Sequence, residues 1–206
     1  VTDSGTERLS FRQRAAVALA PATRLMANVL MGTALAVYIG ERGSPFAVGL
    51  IMTAFWFGMM FFSPIWGAIA DVTGRRRAVL VVTGVSASLA AVPLAFVGGV
   101  WGPLGLRVVY AVFAAGFAPV MLAIVSAHGG REGRGRALGS FNSAMAVGVT
   151  VGQLAVGVVL ASLAPQGLFL VIAAISLVST VAVALVADPI PPPETEPGLA
   201  EIAAEV

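Results

Sequence analysis

The residues of this chain that could do chemistry are few, and two of them are charges inside apolar stretches. Arg24 and Arg107 interrupt hydrophobic segments, and Asn28 follows Arg24 by four residues, on the same face of a helix. A charged side chain near the middle of a bilayer costs at least about 2.5–3.5 kcal/mol, so such residues normally face a protein interior or an aqueous cavity. We therefore expect Arg24, Asn28, Arg107 and the polar Gln153 to line a substrate cavity.

Both arginines also have a structural interpretation. If Pro21 marks the entry into the membrane, Arg24 becomes an anchor at the interface. Arg107 lies a few residues after Pro103, from where its side chain could reach the outer headgroups. If the two arginines do face a cavity, they favour an anionic substrate or an anionic moiety.

The composition leaves almost no material for catalysis. The chain has no cysteine and one histidine, His128, and among its carboxylates only Asp71 stands close to a hydrophobic stretch. A six-span intramembrane serine protease needs a serine and a histidine that face each other at membrane depth, whereas His128 lies beside the end of its span. We therefore expect no enzyme, no metal, no cofactor and no nucleic-acid partner.

The overall composition is that of an all-α membrane protein. Hydrophobic residues make up 58 % of the 206 residues and charged residues 11 %, against roughly 25 % charge in soluble domains. A membrane-spanning helix needs about 20 apolar residues. The sequence predicts six spans, near 15–39, 46–70, 78–99, 104–127, 137–161 and 167–187.

The remaining segments are too short for a further domain. Residues 1–14 are predicted to be a cytoplasmic tail, residues 15–187 the membrane domain, and residues 188–206 a flexible, acidic, proline-rich cytoplasmic tail. A cleaved signal peptide that ends at Ala20 is the alternative for the N-terminus. Pro21 would then follow the cut and apolar character resumes at Leu25, so the segment is expected to remain as the first helix.

The arginines predict the orientation. Nine arginines lie before the first span, in the connection between the second and third spans, or in that between the fourth and fifth. They are Arg8, Arg12, Arg14, Arg75, Arg76, Arg77, Arg131, Arg134 and Arg136. The opposite side has only Arg42. The positive-inside rule therefore places both termini in the cytoplasm, and we expect a multi-pass protein of the plasma membrane. The third and sixth spans have only serine and threonine as polar residues, which can bond to their own helix, so they are expected to be peripheral.

Two sets of glycines are predicted to shape contacts between helices. Gly67 and Gly74 surround Asp71 in the second-to-third connection, where Gly74 permits a tight turn before Arg75 and Arg76. An acid and a basic cluster on a short loop can form a gating latch, and the alternative is a basic stop signal with a glycine turn. In the fifth span, glycines one or more turns apart leave a groove for helix packing: Gly139, Gly148, Gly152 and Gly157.

The connection also resembles the loop signature of the major facilitator superfamily of secondary transporters. From Gly67 to Val79 the chain matches nearly every fixed position, and the exception is Val72, where a basic residue is usual. Arg107, with Pro119 twelve residues later, is similar to the second signature of the family. There Ala111 and Phe113 replace expected glycines.

The fifth-span glycines resemble the signature of the drug-efflux and antiporter branch. Gln153 replaces its proline and Val156 another glycine, so antiport is not inferred from this motif. The resemblance implies the N-terminal six-helix half of a transporter that works by alternating access. Asp71 with Arg75 or Arg76 would then stabilise the state that is closed to the cytoplasm.

Family members usually have two six-helix repeats around a central site. We therefore expect a second six-helix unit, either another copy of this chain in a homodimer or a separately encoded half. A lone unit is expected to expose Arg24, Arg107 and the glycine groove to lipid. The alternative function is that of a non-transporting six-helix remnant or a regulatory membrane subunit.

Overall fold

The computed structural model describes residues 10–163 and 165–190. That part of the chain is helical without strands and contains six helices that are long and apolar enough to cross a membrane. The all-α fold with six spans is therefore confirmed. The spans are α1 Phe11–Gly40, α2 Pro45–Thr73, α3 Arg76–Ala95, α4 Trp101–Gly130, α5 Glu132–Ser162 and α6 Pro165–Ala184.

Local signals in the sequence fix the ends of the first two helices. The Ser10 hydroxyl oxygen caps α1 by accepting a hydrogen bond from the Gln13 backbone N–H, and Gln13 Oε1 accepts one from the Ser10 backbone N–H. The helix consequently begins at Phe11, upstream of the predicted span start. Ser44 caps α2, and Gly74 ends it in the left-handed conformation, with φ 61°.

The fourth and fifth spans are joined by a sharp bend instead of a loop. Helical residues flank Gly130 directly on both sides, from Phe117 onwards and up to Ser162, but Gly130 itself adopts φ 56° and ψ −166°, which no helix contains. Because only glycine adopts such a conformation without strain, this residue lets α4 and α5 double back on each other. A two-residue turn between Ala114 and Phe117 interrupts α4 midway along its length.

The helices pack into two apolar clusters, one towards each end of the bundle. One cluster joins the start of α1, α3 and α5 to the end of α2, α4 and α6, through residues such as Ala16, Ala70, Leu80, Ile124, Phe141 and Val183. The other joins the opposite ends, with Leu35, Ile39, Ile51, Leu94, Tyr110 and Phe169 among its members. The arginine-rich connections therefore share one end of the bundle.

The six spans are unequally covered. In α2 and in α5, 17 % of the most apolar window is buried, whereas the other four spans bury between 44 % and 56 %. α1 packs against α2, α5 and α6. α2 and α5 are thus the spans that the described chain covers least.

The fifth-span glycines divide into two pairs. A side chain at Gly148 would overlap the backbone of Ala22 in α1, and one at Gly152 would lie 3.3 Å from the Met26 backbone. No described atom lies within 4 Å of a side chain built at Gly139 or Gly157. The expectation that a lone unit exposes the whole glycine groove is therefore wrong, because α1 of the same chain fills its central part.

The prediction for α6 needs a correction as well, whereas the hydroxyls of Thr83 and Ser88 in α3 do donate to their own helix. The hydroxyls of α6 do not serve only their own helix, since Ser179 donates to the carbonyl oxygen of Ala20 in α1 over 2.8 Å. Ser176, Ser179 and Thr180 are all buried. Half of the apolar window of α6 is buried, so α6 packs as an integral part of the bundle and not at its periphery.

Candidate functional site

A cavity of 590 Å³ lies between four of the six spans, and all four predicted polar residues line it. Arg24 and Asn28 come from α1, Arg107 from α4 and Gln153 from α5, while α2 supplies apolar side chains. Neither α3 nor α6 contributes to the lining. The structure thus brings together four residues that are up to 129 positions apart, from Arg24 to Gln153.

Arg24 is buried and hydrogen-bonded at the boundary between α1 and α6. Its side chain is 2 % exposed and donates to Ser176 Oγ at 2.6 Å and to Thr180 Oγ1 at 3.3 Å. The guanidinium carbon lies 5.4 Å from the centre of the Phe117 ring. An exposed position towards lipid, expected for a lone unit, is therefore wrong for this residue.

Arg107 is equally buried but has very different neighbours. Its side chain is 2 % exposed, and the guanidinium carbon lies 3.9 Å above the centre of the Phe55 ring and 5.6 Å from that of Tyr110. Cation–π contacts of this kind contribute about 0.5–2 kcal/mol. Nε and Nη1 of Arg107 have no hydrogen-bond acceptor among the described residues.

A short polar contact joins α1 to α4 beside the two arginines. The hydroxyl of Tyr110 donates to Asn28 Oδ1 at 2.5 Å, and Tyr110 is fully buried. Asn28 is thereby oriented with its oxygen towards α4. This contact follows from the helical periodicity of Arg107 and Tyr110, which are three residues apart and share a face of α4.

Apart from Thr33, the rest of the cavity wall is apolar, and sequence reasoning missed it. The wall includes aromatic and methionine side chains, namely Met52, Phe55, Trp56, Met59, Phe117 and Met145. Nothing in the pattern of α2 separates Phe55 from Phe57 or Phe61, because the helix is apolar on every side. Only the position of Arg107 on the neighbouring helix selects Phe55.

The predicted loop residues gather at the arginine-rich end of the bundle. Asp71 Oδ1 accepts a hydrogen bond from Arg76 Nη2 at 2.8 Å, and the Asp71 side chain is 64 % exposed. Arg76 is mostly buried, whereas Arg75 is exposed. Gly74 makes the turn between Asp71 and the two arginines. A side chain built at Gly67 would lie 3.7 Å from Pro119, which is an ordinary van der Waals contact.

The same loop also touches the end of the last span. The guanidinium of Arg77 donates a hydrogen bond to the carbonyl oxygen of Ala184, the last residue of α6. A cation at this position stabilises the negative end of the helix dipole. The α2–α3 connection is consequently tied to the end of α6.

Comparison with known proteins decides the family. The model of the Major Facilitator Superfamily matches residues 17–205, which is most of the chain. The chain belongs to the major facilitator superfamily. The resemblance inferred from the loop, from Arg107 with Pro119 and from the fifth-span glycines is thereby confirmed.

The chain is similar to proteins that are named efflux pumps. The chain is 31 % identical over 114 residues to the multi-drug resistance efflux pump PmrA of Streptococcus pneumoniae serotype 4 (strain ATCC BAA-334 / TIGR4). The aligned stretch covers 55 % of this chain and 28 % of the pump. The PmrA homolog of Lactococcus lactis subsp. lactis (strain IL1403) is 30 % identical over 118 residues, or 57 % of this chain and 29 % of that pump. The matches therefore span under a third of the relatives' length.

Proposed function

We propose that this chain forms one half of a secondary active transporter, which moves a small solute across the plasma membrane by alternating access. The single observation that carries this proposal is the cavity between α1, α2, α4 and α5, in which two buried arginines face apolar side chains. Burial of charge at membrane depth is expensive and normally marks a solute or ion path. Efflux is the expected direction, since the relatives are named efflux pumps.

A second six-helix unit is part of the proposal. The cavity is bordered by α2 and α5, and these are the two spans whose apolar windows are only 17 % buried. A second unit seated on them would close the cavity and create the pseudo-two-fold arrangement of transporter halves. A second copy of this chain in a homodimer or a separately encoded half can both fill this place.

The solute is proposed to carry an anionic group on an apolar body. The cavity lining holds two guanidinium groups and no carboxylate among the described residues. The aromatic and methionine side chains around them offer a large, adaptable apolar surface. Gln153 lies on the α5 side of the cavity and can supply a neutral polar contact.

The loop that contains Asp71 is proposed to control the state closed to the cytoplasm. In the Asp71–Arg76 ion pair the carboxylate is exposed and the arginine is largely buried, so Asp71 is accessible to a partner half. Arg75 points its charge to the same exposed end of the bundle. A change in helix position that separates Asp71 from Arg76 would leave a buried cation unpaired, which couples the loop to the bundle.

Orientation with both termini in the cytoplasm is supported by the common position of the basic connections. The chain has no native cysteine, so a cysteine introduced at Val72 or at Arg42 is the only thiol present. Membrane-impermeant maleimide added to intact cells should modify the Arg42→Cys variant and not the Val72→Cys variant. The reverse pattern would overturn the orientation.

Flux in proteoliposomes tests the proposal. A panel that compares aromatic anions with hydrophobic cations should show transport of anions above that of protein-free vesicles, and Arg24→Ala and Arg107→Ala should abolish it. Native mass spectrometry of the same preparation should show a dimer if the second unit is another copy. A folded protein that binds its partner but moves no solute would instead indicate a non-transporting remnant or a regulatory subunit.

A further inference from the structure

We infer that the two cavity arginines have separate tasks: Arg107 binds the anionic group of the solute, and Arg24 is a positioning residue that fastens α1 to α6. This inference rests on the proposed transport function and makes it more specific. It predicts a solute with one anionic group attached to a flat, apolar body.

The terminal nitrogens of Arg24 are already bound by the protein, and only its Nε has no acceptor among the described residues. Both of its terminal nitrogens donate to hydroxyls of α6, at 2.6 Å to Ser176 and at 3.3 Å to Thr180. Gly84 of α3 makes room for this contact, since a side chain there would lie 2.9 Å from Arg24 Nη2. A solute could bind these nitrogens only by displacing hydrogen bonds that hold two helices together.

The N–H donors of Arg107, in contrast, are not hydrogen-bonded by the described residues. Its face lies over the Phe55 ring at 3.9 Å, which leaves the edge of the guanidinium plane for hydrogen bonding. Nε and Nη1 both lack an acceptor among the described residues, although the side chain is only 2 % exposed. Buried donors without partners are costly, so an acceptor that reaches one of these nitrogens from the cavity is favoured because it satisfies that donor.

The surroundings of Arg107 leave space for such an acceptor. Gly32 of α1 faces Arg107, and a side chain built there would lie 3.7 Å from Nη2. Carboxylate and sulfonate oxygens match the fork of donors on one edge of a guanidinium, and pairing through two hydrogen bonds is the strong form of this contact. No carboxylate of the described chain lines the cavity to compete for them.

The apolar body is indicated by what stands around this edge. Trp56 is exposed and offers an aromatic face, whereas Phe55 and Phe117 are nearly buried beneath Arg107 and Arg24. Offset stacking favours a planar ring on Trp56, and the lining methionines Met52, Met59 and Met145 adapt to the outline of such a ring. A small hydrophilic anion would fill little of the 590 Å³ and would leave this wall uncovered.

A pair of dyes that differ only in charge tests the inference by equilibrium binding. The anion 8-anilinonaphthalene-1-sulfonate and the neutral N-phenyl-1-naphthylamine share one aromatic skeleton, and both fluoresce on binding. The protein is titrated in nanodiscs of neutral lipid, with protein-free nanodiscs subtracted. We expect the anion to bind the native chain at least about tenfold more tightly than the neutral dye.

Variants assign that preference to one residue. Arg107→Gln should lower the affinity for the sulfonate about tenfold or more while affinity for the neutral dye stays within twofold. Arg107→Lys keeps the charge without the fork and should give an intermediate loss. Arg134→Gln, the same change at an exposed position outside this cavity, serves as the matched control and should leave both affinities unaltered.

Arg24→Gln separates the two tasks. It should lower the melting temperature of the protein but keep the preference for the sulfonate over the neutral dye. Equal affinity for both dyes in the native chain, loss of the preference in Arg24→Gln but not in Arg107→Gln, or no binding of either dye would overturn the inference. The transport proposal fails separately, through absence of flux for every solute in the proteoliposome panel.

Discussion

Tyr110 and Asn28, which are 82 residues apart in the chain, share a hydrogen bond of 2.5 Å that links α4 to α1 at the wall of the cavity. Each partner follows an arginine on its own helix, Asn28 by four residues after Arg24 and Tyr110 by three after Arg107. The contact therefore fixes the relative rotation of the two helices that carry Arg24 and Arg107. Any movement that widens the cavity between α1 and α4 must first break it.

Removal of this hydrogen bond should cost stability in a way that depends on both partners. Tyr110→Phe and Asn28→Ala should each lower the free energy of unfolding by about 0.5–1.5 kcal/mol. The double variant should be less destabilised than the sum, with a coupling of about 0.6 kcal/mol or more. Equilibrium unfolding in mixed detergent micelles measures the cycle, and strict additivity would show that the two side chains do not interact.

The central glycines of α5 should be intolerant of even the smallest side chain. Gly148→Ala places a methyl group into the backbone of Ala22 and should destabilise the protein by about 1–3 kcal/mol. Gly157→Ala in the same helix meets no described atom within 4 Å and is the matched control. There the higher helix propensity of alanine should leave stability equal or slightly raised, as followed by thermal unfolding. Equal effects of the two changes would contradict the packing of α5 on α1.

The fifth-span pair Gly148 and Gly152 shows how far sequence reasoning reaches. The spacing of Gly148 and Gly152 correctly indicated a groove for a helix, but it did not tell which helix occupies it. The partner is the segment from Ala22 to Met26, and its distance along the chain hides the contact. Local spacing determines the shape of a helix face, whereas the choice of neighbour depends on the packing of all six helices.

The cavity shows a similar division. The polar residues Arg24, Asn28, Arg107 and Gln153 could be assigned to one cavity because each is costly to expose to lipid. Phe55 could not be assigned to the cavity, because a phenylalanine side chain is equally stable facing lipid and in a cavity wall. The role of Ser176 and Thr180 was missed for the opposite reason, since a hydroxyl that can serve its own helix gives no sign that it serves Arg24 instead.

The hydroxyls of α6 should matter to stability through Arg24. Ser176→Ala removes the acceptor at 2.6 Å and leaves a buried guanidinium donor unsatisfied, which should cost about 1–3 kcal/mol. Ser162→Ala is the control, because Ser162 is exposed and donates only to the Val158 carbonyl in the turn before it. The free energy of unfolding of the Ser162→Ala variant should stay within about 0.5 kcal/mol of that of the native chain. Thermal unfolding in detergent compares them, and similar melting temperatures for both variants would refute the role of Ser176.

Asp71 should affect transport more than stability. The Asp71 side chain is 64 % exposed, so loss of its pair with Arg76 should change the free energy of unfolding by about 1 kcal/mol or less. Asp71→Asn should nevertheless reduce flux in proteoliposomes several-fold, because it shifts the balance between the open and closed states. Glu132→Gln, which also removes one acid at the basic end, is the comparison and should transport normally. Native flux in Asp71→Asn would contradict the gating role of the loop.

The most direct test of the account is whether one residue of the cavity is reached by water from both sides of the membrane in turn. Thr33 lines the cavity, and a Thr33→Cys variant carries the only thiol in the chain. Right-side-out and inside-out vesicles are treated with a membrane-impermeant thiol reagent, with and without a transported solute. Alternating access predicts modification from each side, at rates that the solute changes in opposite directions. Modification from one side only, or from neither, with no effect of solute would contradict it.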